Sequence, residues 1–319
     1  MQVIETTVLH RPNTPEVRFL PEGPYQAPDG QISFVGIQHG ADATIGSINI
    51  LGEDPDFCQC HELPGRPGFA FPTETPGVFV AGVERELGLF DTRSGVWTPF
   101  ATDVDGHTQN TIINDGLIVD DNLVFGCKEL TFTKNVAGLY LWRRSDRQLI
   151  RLRDDQICSN GKGVTRSADG TWTLYDIDSP SKQITRFQLD IDNGTVGDPQ
   201  VVVDLTSEEI FPDGMILTPD GRSLIVALYD PGDPAAGVAR QYDLTSGDLQ
   251  CVWRCPGSPR VTCPQLIRRN GSVELLLTTA VEHMPPDQLE RHPQAGCLFV
   301  GATSFTSTGD LSVFSSPTL

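Results

Sequence analysis

The chain has 319 residues, 38% hydrophobic and 20% charged, with 31 Gly, 24 Pro and a formal net charge of −19. Such a composition is globular and rich in turn formers, neither disordered nor coiled coil. The charge opposes binding to phosphate backbones and to anionic membrane surfaces, because both are driven by Lys and Arg.

The N-terminus, Met1-Gln2-Val3-Ile4-Glu5, has neither a basic leader nor a long apolar run, and no stretch of the chain approaches the ~20 apolar residues of a membrane helix. A soluble, cytoplasmic protein is therefore expected, with its eight cysteines as free buried thiols. Cys58-Gln59-Cys60 lacks the two-residue spacing of zinc and redox pairs.

Taken in order, the chain repeats itself. A turn followed by a β-rich run occurs at Pro28-Asp29-Gly30, Thr75-Pro76-Gly77, Asp120-Asp121-Asn122, Ala168-Asp169-Gly170, Pro219-Asp220-Gly221 and Arg269-Asn270-Gly271. From Gly30 through Gly77, Asn122, Gly170 and Gly221 to Gly271 the intervals are 47, 45, 48, 51 and 50 residues. Asp220-Gly221 lies between the apolar runs Met215-Ile216-Leu217 and Leu224-Ile225-Val226, the signature of a tight hairpin. A second strand–turn–strand follows in each copy, as in Gly88 to Trp97 and Arg240 to Leu249. Two hairpins make a four-stranded antiparallel sheet, and one such sheet cannot bury both faces alone. Stacking six of them radially does so, which predicts an all-β, six-bladed β-propeller forming one domain over residues 1–319. No helix of consequence is expected beyond one turn at 285–291, and the length between Gln2 and Glu22 is available for a ring-closing strand.

The residues entering each innermost strand should meet at one mouth of the channel. Four of the six entries carry an oxygen-bearing side chain beside Gly or Asp-Gly: Glu22-Gly23-Pro24, Asn114-Asp115-Gly116, Asn160-Gly161 and Asp213-Gly214. Each alone is an ordinary turn residue. Four in register point to a hard divalent cation, for which carboxylate and amide oxygens are suited. No Gly-x-Ser-x-Gly, His-Glu-x-x-His or Walker loop competes, and Gly161-Lys162-Gly163 lacks the rest of a phosphate loop.

These ordered motifs, with Thr278-Thr279-Ala280 and Pro293-Gln294-Ala295-Gly296 near the end, resemble the SMP-30/gluconolactonase/LRE-like family of regucalcin-like lactonases. The resemblance implies one divalent metal ion (Ca²⁺, Zn²⁺, Mn²⁺, Mg²⁺ or Fe²⁺) held by Glu22, Asn160 and Asp213; as a carboxylate at the metal's edge, Asp213 is also the expected general base. It implies substrate contacts from Asn114 and Glu129, and hydrolysis of a sugar-type lactone as the activity. The family's sugar lactonases often place Arg two residues before Asn-Asp-Gly. Ile112 stands there in this chain, with Lys128 and His107 as nearby polar substitutes. The alternatives are a phosphotriesterase or other esterase at the same metal, and a non-catalytic calcium-binding propeller.

Overall fold

The computed structural model describes residues 1–54, 57–309 and 312–315. They form six sheets, each built around four strands ordered as the repeat requires, and the fold is a six-bladed β-propeller. Blade one comprises Pro21–Gln26, Ile32–Gly36, Ser47–Leu51 and Cys58–Glu62; blade two, Pro67–Pro72, Val78–Val83, Glu86–Asp91 and Val96–Ala101. Blade three runs through Thr111–Val119, Asn122–Glu129, Ala137–Arg143 and Gln148–Gln156. Blade four has Ser159–Arg166, Trp172–Asp178 and Gln183–Asp190, and its outer edge is split between Thr195–Val196 and Gln200–Asp204. Blade five is Phe211–Leu217, Ser223–Tyr229, Ala236–Asp243 and Leu249–Pro256.

Blade six draws only three strands from its own repeat: Val261–Arg269, Ser272–Thr279 and Leu298–Ala302. Its fourth is Thr7–His10, antiparallel to Leu298–Ala302. The preceding strand, Gln2–Glu5, lies parallel to Leu249–Pro256 on blade five. The N-terminus therefore supplies the closing strand, and pairing covers edges that would otherwise recruit other chains.

Contacts divide the chain into two compact units, one holding blades one, five and six, the other blades two, three and four. In the first, Ile225, Trp253, Leu275 and Phe299 share a core between blades five and six. In the second, Val124, Leu141, Leu174 and Leu189 pack blade three on blade four. In each case the inward residues alternate along their strands, and the apolar faces are covered by the next blade rather than within the sheet.

Two helical turns interrupt the β pattern. Pro286–Arg291 is the one anticipated on its loop. Pro15–Phe19 was not anticipated; Pro15 starts it, the Oγ1 of Thr14 accepts from the Val17 amide at 3.4 Å, and Val17 is buried. Among the described residues no helix is long and apolar enough to cross a membrane. Six of the eight thiols are buried; Cys58 is partly exposed and Cys60 exposed, against the expectation.

Candidate metal centre

The motif residues lie inside strands, not in the loops that lead to them. Asn114, Asn160 and Asp213 sit at β-bulges, and Glu22 immediately precedes one. On blade five, Pro212 faces Leu228 and Met215 faces Val226, so three steps on the first strand match two on the second. The extra residue falls at Asp213-Gly214. The same slip occurs between Glu22 and Tyr25, between Ile113 and Gly116, between Ser159 and Lys162, and between Val261 and Pro264. A bulge bends the strand and re-aims a side chain that the regular pleat would place elsewhere, so five blades share one device for turning a side chain out of its sheet. Asn114, Asn160, Asp213 and Thr262 are register counterparts. Glu22 precedes its bulge by one position, and Gly23 after it adopts φ +49, where a β-carbon would be strained.

In the unit of blades one, five and six, Glu22 and Asp213 are both buried carboxylates. The Glu22 Oε2 accepts from the Gly23 amide at 3.0 Å. Thr262, which offers no carboxylate, turns its hydroxyl onto Pro21 O at 2.7 Å and Thr278 Oγ1 at 2.8 Å, tying blade six to the strand that carries Glu22. A β-carbon on Gly214 would come within 2.6 Å of Cys263 Sγ, so the Asp-Gly of blade five is needed for close approach to blade six.

In the unit of blades two, three and four, Asn114 and Asn160 are buried beside each other's strands. Asn114 Nδ2 donates to Ser159 O at 3.1 Å, and Asn160 Nδ2 to Ser179 Oγ at 3.1 Å. Both nitrogens also reach Cys158 Sγ, at 3.7 and 3.9 Å. These bonds orient the amides so that oxygen is the atom each would offer a cation. The backbone just ahead is held by Asp178, whose Oδ1 accepts from Cys158 N at 2.8 Å. Burial pushes the Asp178 carboxyl above its ordinary range, against the pull of the Cys158 and Ile157 amides.

Beneath Asn160 lies a group that sequence reasoning set aside. The Lys162 ammonium, wholly buried, donates to Asn160 O at 2.6 Å and Ser159 Oγ at 2.9 Å and pairs with the buried Asp176 carboxylate. Ser159 and Gln156 complete the coordination of Asp176. Desolvation raises the neighbouring Asp115 carboxyl above its usual range, opposed by Lys162 and by the Gly116 amide. The sequence signal was available: counterparts of Lys162 in the other bulged strands are Tyr25, Gly116, Met215 and Pro264, none of them charged.

Of the proposed substrate contacts, Lys128 stands directly opposite Ile112 in the ladder and bridges to Cys158. Glu129 is buried and its carboxylate is engaged within its own turn, accepting from Thr131 Oγ1 at 2.8 Å and Thr133 N at 2.9 Å. Burial pushes that carboxyl up, but these hydrogen bonds outweigh it and hold it below its ordinary value. His107 is exposed, and its ring nitrogen meets the Arg151 guanidinium on the outermost strand of blade three. The structure thus carries His107 to the outer strand of its blade, since the 103–110 turn folds back toward that edge.

Six four-stranded blades with oxygen-bearing side chains at bulges of their innermost strands define the class of propeller to which the chain is compared. The chain belongs to the SMP-30/gluconolactonase/LRE-like family, whose sequence pattern residues 20–281 match. It is 28% identical to the regucalcin of Gallus gallus over 201 residues, 61% of this chain and 64% of that protein. The chain thus spans just under two thirds of that relative. The Agrobacterium tumefaciens regucalcin, described as a calcium-binding protein, shares the fold with a TM-score of 0.81 over 99% of both chains at 22% identity. A gluconolactonase of Xanthomonas campestris does so at 0.63 and 16% identity, over 89% of this chain and 86% of that one.

Proposed function

We propose that the protein is a metal-dependent hydrolase that opens a sugar-type lactone, with Glu22, Asn160 and Asp213 holding one divalent cation. The observation that supports this reading is the shared β-bulge, which sets Asn160 and Asp213 at equivalent places on blades four and five, with Glu22 one position ahead of the bulge on blade one. The donor set is oxygen only, as suits a hard cation, and its one amide is oriented by a hydrogen bond through its nitrogen.

A divalent cation bound there would polarise a lactone carbonyl and lower the pKa of water. The chain's own residues do the rest. Asp213 takes the proton from the attacking water, as a carboxylate within reach of it is suited to do. Asn114 and Lys128 orient the ring through its polar substituents. Glu129 holds the 129–133 turn, whereas His107 meets Arg151 on the outer strand of its blade.

The test is hydrolysis of glucono-, xylono- and γ-butyrolactone followed by pH-stat, on metal-stripped protein with ions added back, beside Asp213→Ala. Ion-dependent turnover that vanishes in Asp213→Ala supports the reading and names the metal. Tight ion binding without turnover on any lactone defeats it. One feature favours hydrolysis of a less polar ester at the same centre: Ile112 stands where the family's sugar lactonases often carry Arg, so that donor to a sugar hydroxyl is missing from this chain. A phosphotriester or aryl ester added to the panel decides between the two.

A further inference from the structure

The last described residues, 312–315, pack on blades two and three, whereas the strand before them, Leu298–Ala302, belongs to blade six. Phe314 is their anchor and is wholly buried, at 0% exposure. Its ring stacks on Phe100 with centroids 6.5 Å apart and meets Trp142 at 5.8 Å, and the Arg144 guanidinium lies over it at 5.8 Å. The backbone is paired as well. Phe314 bridges Thr73 in parallel; its N donates to Pro72 O at 3.1 Å, and its O accepts from Glu74 N at 3.2 Å. Ser315 donates from Oγ to Glu74 Oε1 at 3.0 Å and from N to Asp121 Oδ1 at 3.3 Å, and the Arg144 side chain donates to Ser315 O.

Main-chain pairing beside one aromatic pocket is how an extended peptide is recognised. The groups that receive this tail come from blades two and three. The stretch leading to it is bonded to blade six instead: Thr303 Oγ1 donates to Val273 O at 2.6 Å, and Arg268 Nη2 donates to Thr306 O at 2.9 Å. Gly309 then takes φ +82, a conformation that glycine alone adopts readily and that suits a hinge. From Thr306 to Phe314 the chain has eight steps, a reach of at most about 27 Å. The tail is therefore an arm on one part of the chain and the slot a receptor on another, and the same arm of another molecule would find the same contacts. The slot is also remote from the bulges. Asp121 follows the strand Thr111–Val119, whose opposite end carries Asn114.

We propose that this slot is an interface between copies of the chain, in which two molecules exchange residues 312–315 and each Phe314 fills the other's slot. The exchange is reciprocal and closes as a two-fold dimer. The slot contacts are the same in both forms, so concentration decides between them. In dilute solution the molecule's own tail prevails, because its tether holds it at an effective concentration in the millimolar range. Crowded copies, or a slot whose own tail has lost its anchor, take the tail of a neighbour. The interface is independent of the metal centre.

The experiment is complementation between two full-length variants. Phe314→Ala has an open slot and no anchor, and Phe100→Asp has a free anchor and a damaged slot. Phe100 is half-buried, so the new carboxylate can reach water. Light scattering at about 0.3 M salt, which screens the repulsion between two copies of charge −19, should show a monomer for each variant alone and a 1:1 complex for the mixture. Phe100→Asp/Phe314→Ala mixed with Phe314→Ala should form none. A peptide of residues 307–319, titrated calorimetrically into Phe314→Ala, should saturate. It should bind the parent at least about tenfold more weakly, because the parent's own tail competes. Replacing the peptide's own Phe by Ala should cost about thirtyfold, the usual size for an aromatic hot spot. The parent gives a reading that needs no variant: near millimolar concentration it should sediment partly as a dimer, which excess peptide returns to monomer. A parent that stays monomeric there, a mixture without a complex, or peptide affinity indifferent to Phe314 would each overturn the proposal. Peptide binding without a complex between the variants would assign the slot to a segment of a different protein and overturn the exchange.

Discussion

The Lys162 Nζ lies 3.2 Å from Asp176 Oδ1, with the two side chains 0% and 1% exposed, and the same ammonium donates to the backbone oxygen of Asn160. A buried ion pair is thus bonded to the bulge that presents a candidate ligand. Such a pair holds geometry more than it adds stability, since desolvation offsets most of its attraction.

Removing one partner is another matter. Lys162→Met leaves Asp176 buried and uncompensated, and the expected loss is about 3–5 kcal/mol. Adding Asp176→Asn should restore part of it, because the stranded charge goes too. Urea midpoints of the two variants give the comparison. A single variant as stable as the parent would show that the pair is dispensable.

Metal removal should be visible in stability as well as in turnover. A ligand at a hundred times its dissociation constant adds about 2.7 kcal/mol to the folded state. Chelation should therefore lower the melting temperature of the parent. Glu22→Gln and Asp213→Ala should abolish the ion-dependent shift while keeping the fold. A melting temperature indifferent to every divalent ion would count against the metal centre, whatever the lactone panel returns.

The two thiols on Cys58–Glu62, Cys58 only partly open to solvent, should differ from an ordinary cysteine. Burial, with Cys60 adjacent, pushes the Cys58 thiol up to about 12, and burial also raises Cys60. A raised thiol pKa means less thiolate, so at pH 9 Cys58 should hold about one part in a thousand as the nucleophile. Alkylation followed by mass spectrometry should show Cys58 slower than glutathione, with its rate still rising about tenfold per pH unit through pH 9 to 10. A plateau near pH 9 would mean that the thiol is solvated.

Deleting residues 1–11 should damage blade six rather than trim a tail. Thr7–His10 completes that sheet against Leu298–Ala302, and Thr6 Oγ1 bonds Arg254 O at 2.7 Å. The truncated chain should melt lower and scatter light at concentrations where the parent does not, because an open strand edge recruits other chains. Unchanged melting would show that the closing strand contributes nothing to stability.

The repeat, the hairpins and the ordered Glu-Gly-Pro, Asn-Asp-Gly, Asn-Gly and Asp-Gly motifs were legible from the sequence alone. Their physical causes are local: Asp220-Gly221 needs only its neighbours to turn, and alternating apolar residues need only the pleat. Tertiary structure decided what local chemistry cannot reach. It put Thr7–His10 beside a strand some 290 residues away, a pairing that no short-range pattern announces. It set Asp213 and Asn160 inside strands at bulges, because a one-residue slip exists only relative to a partner strand. It gave Lys162 its role through Asp176 on the next strand and took His107 to Arg151. Burial and the direction a side chain faces are properties of the packed chain, and they determined which residues of each motif meet one another.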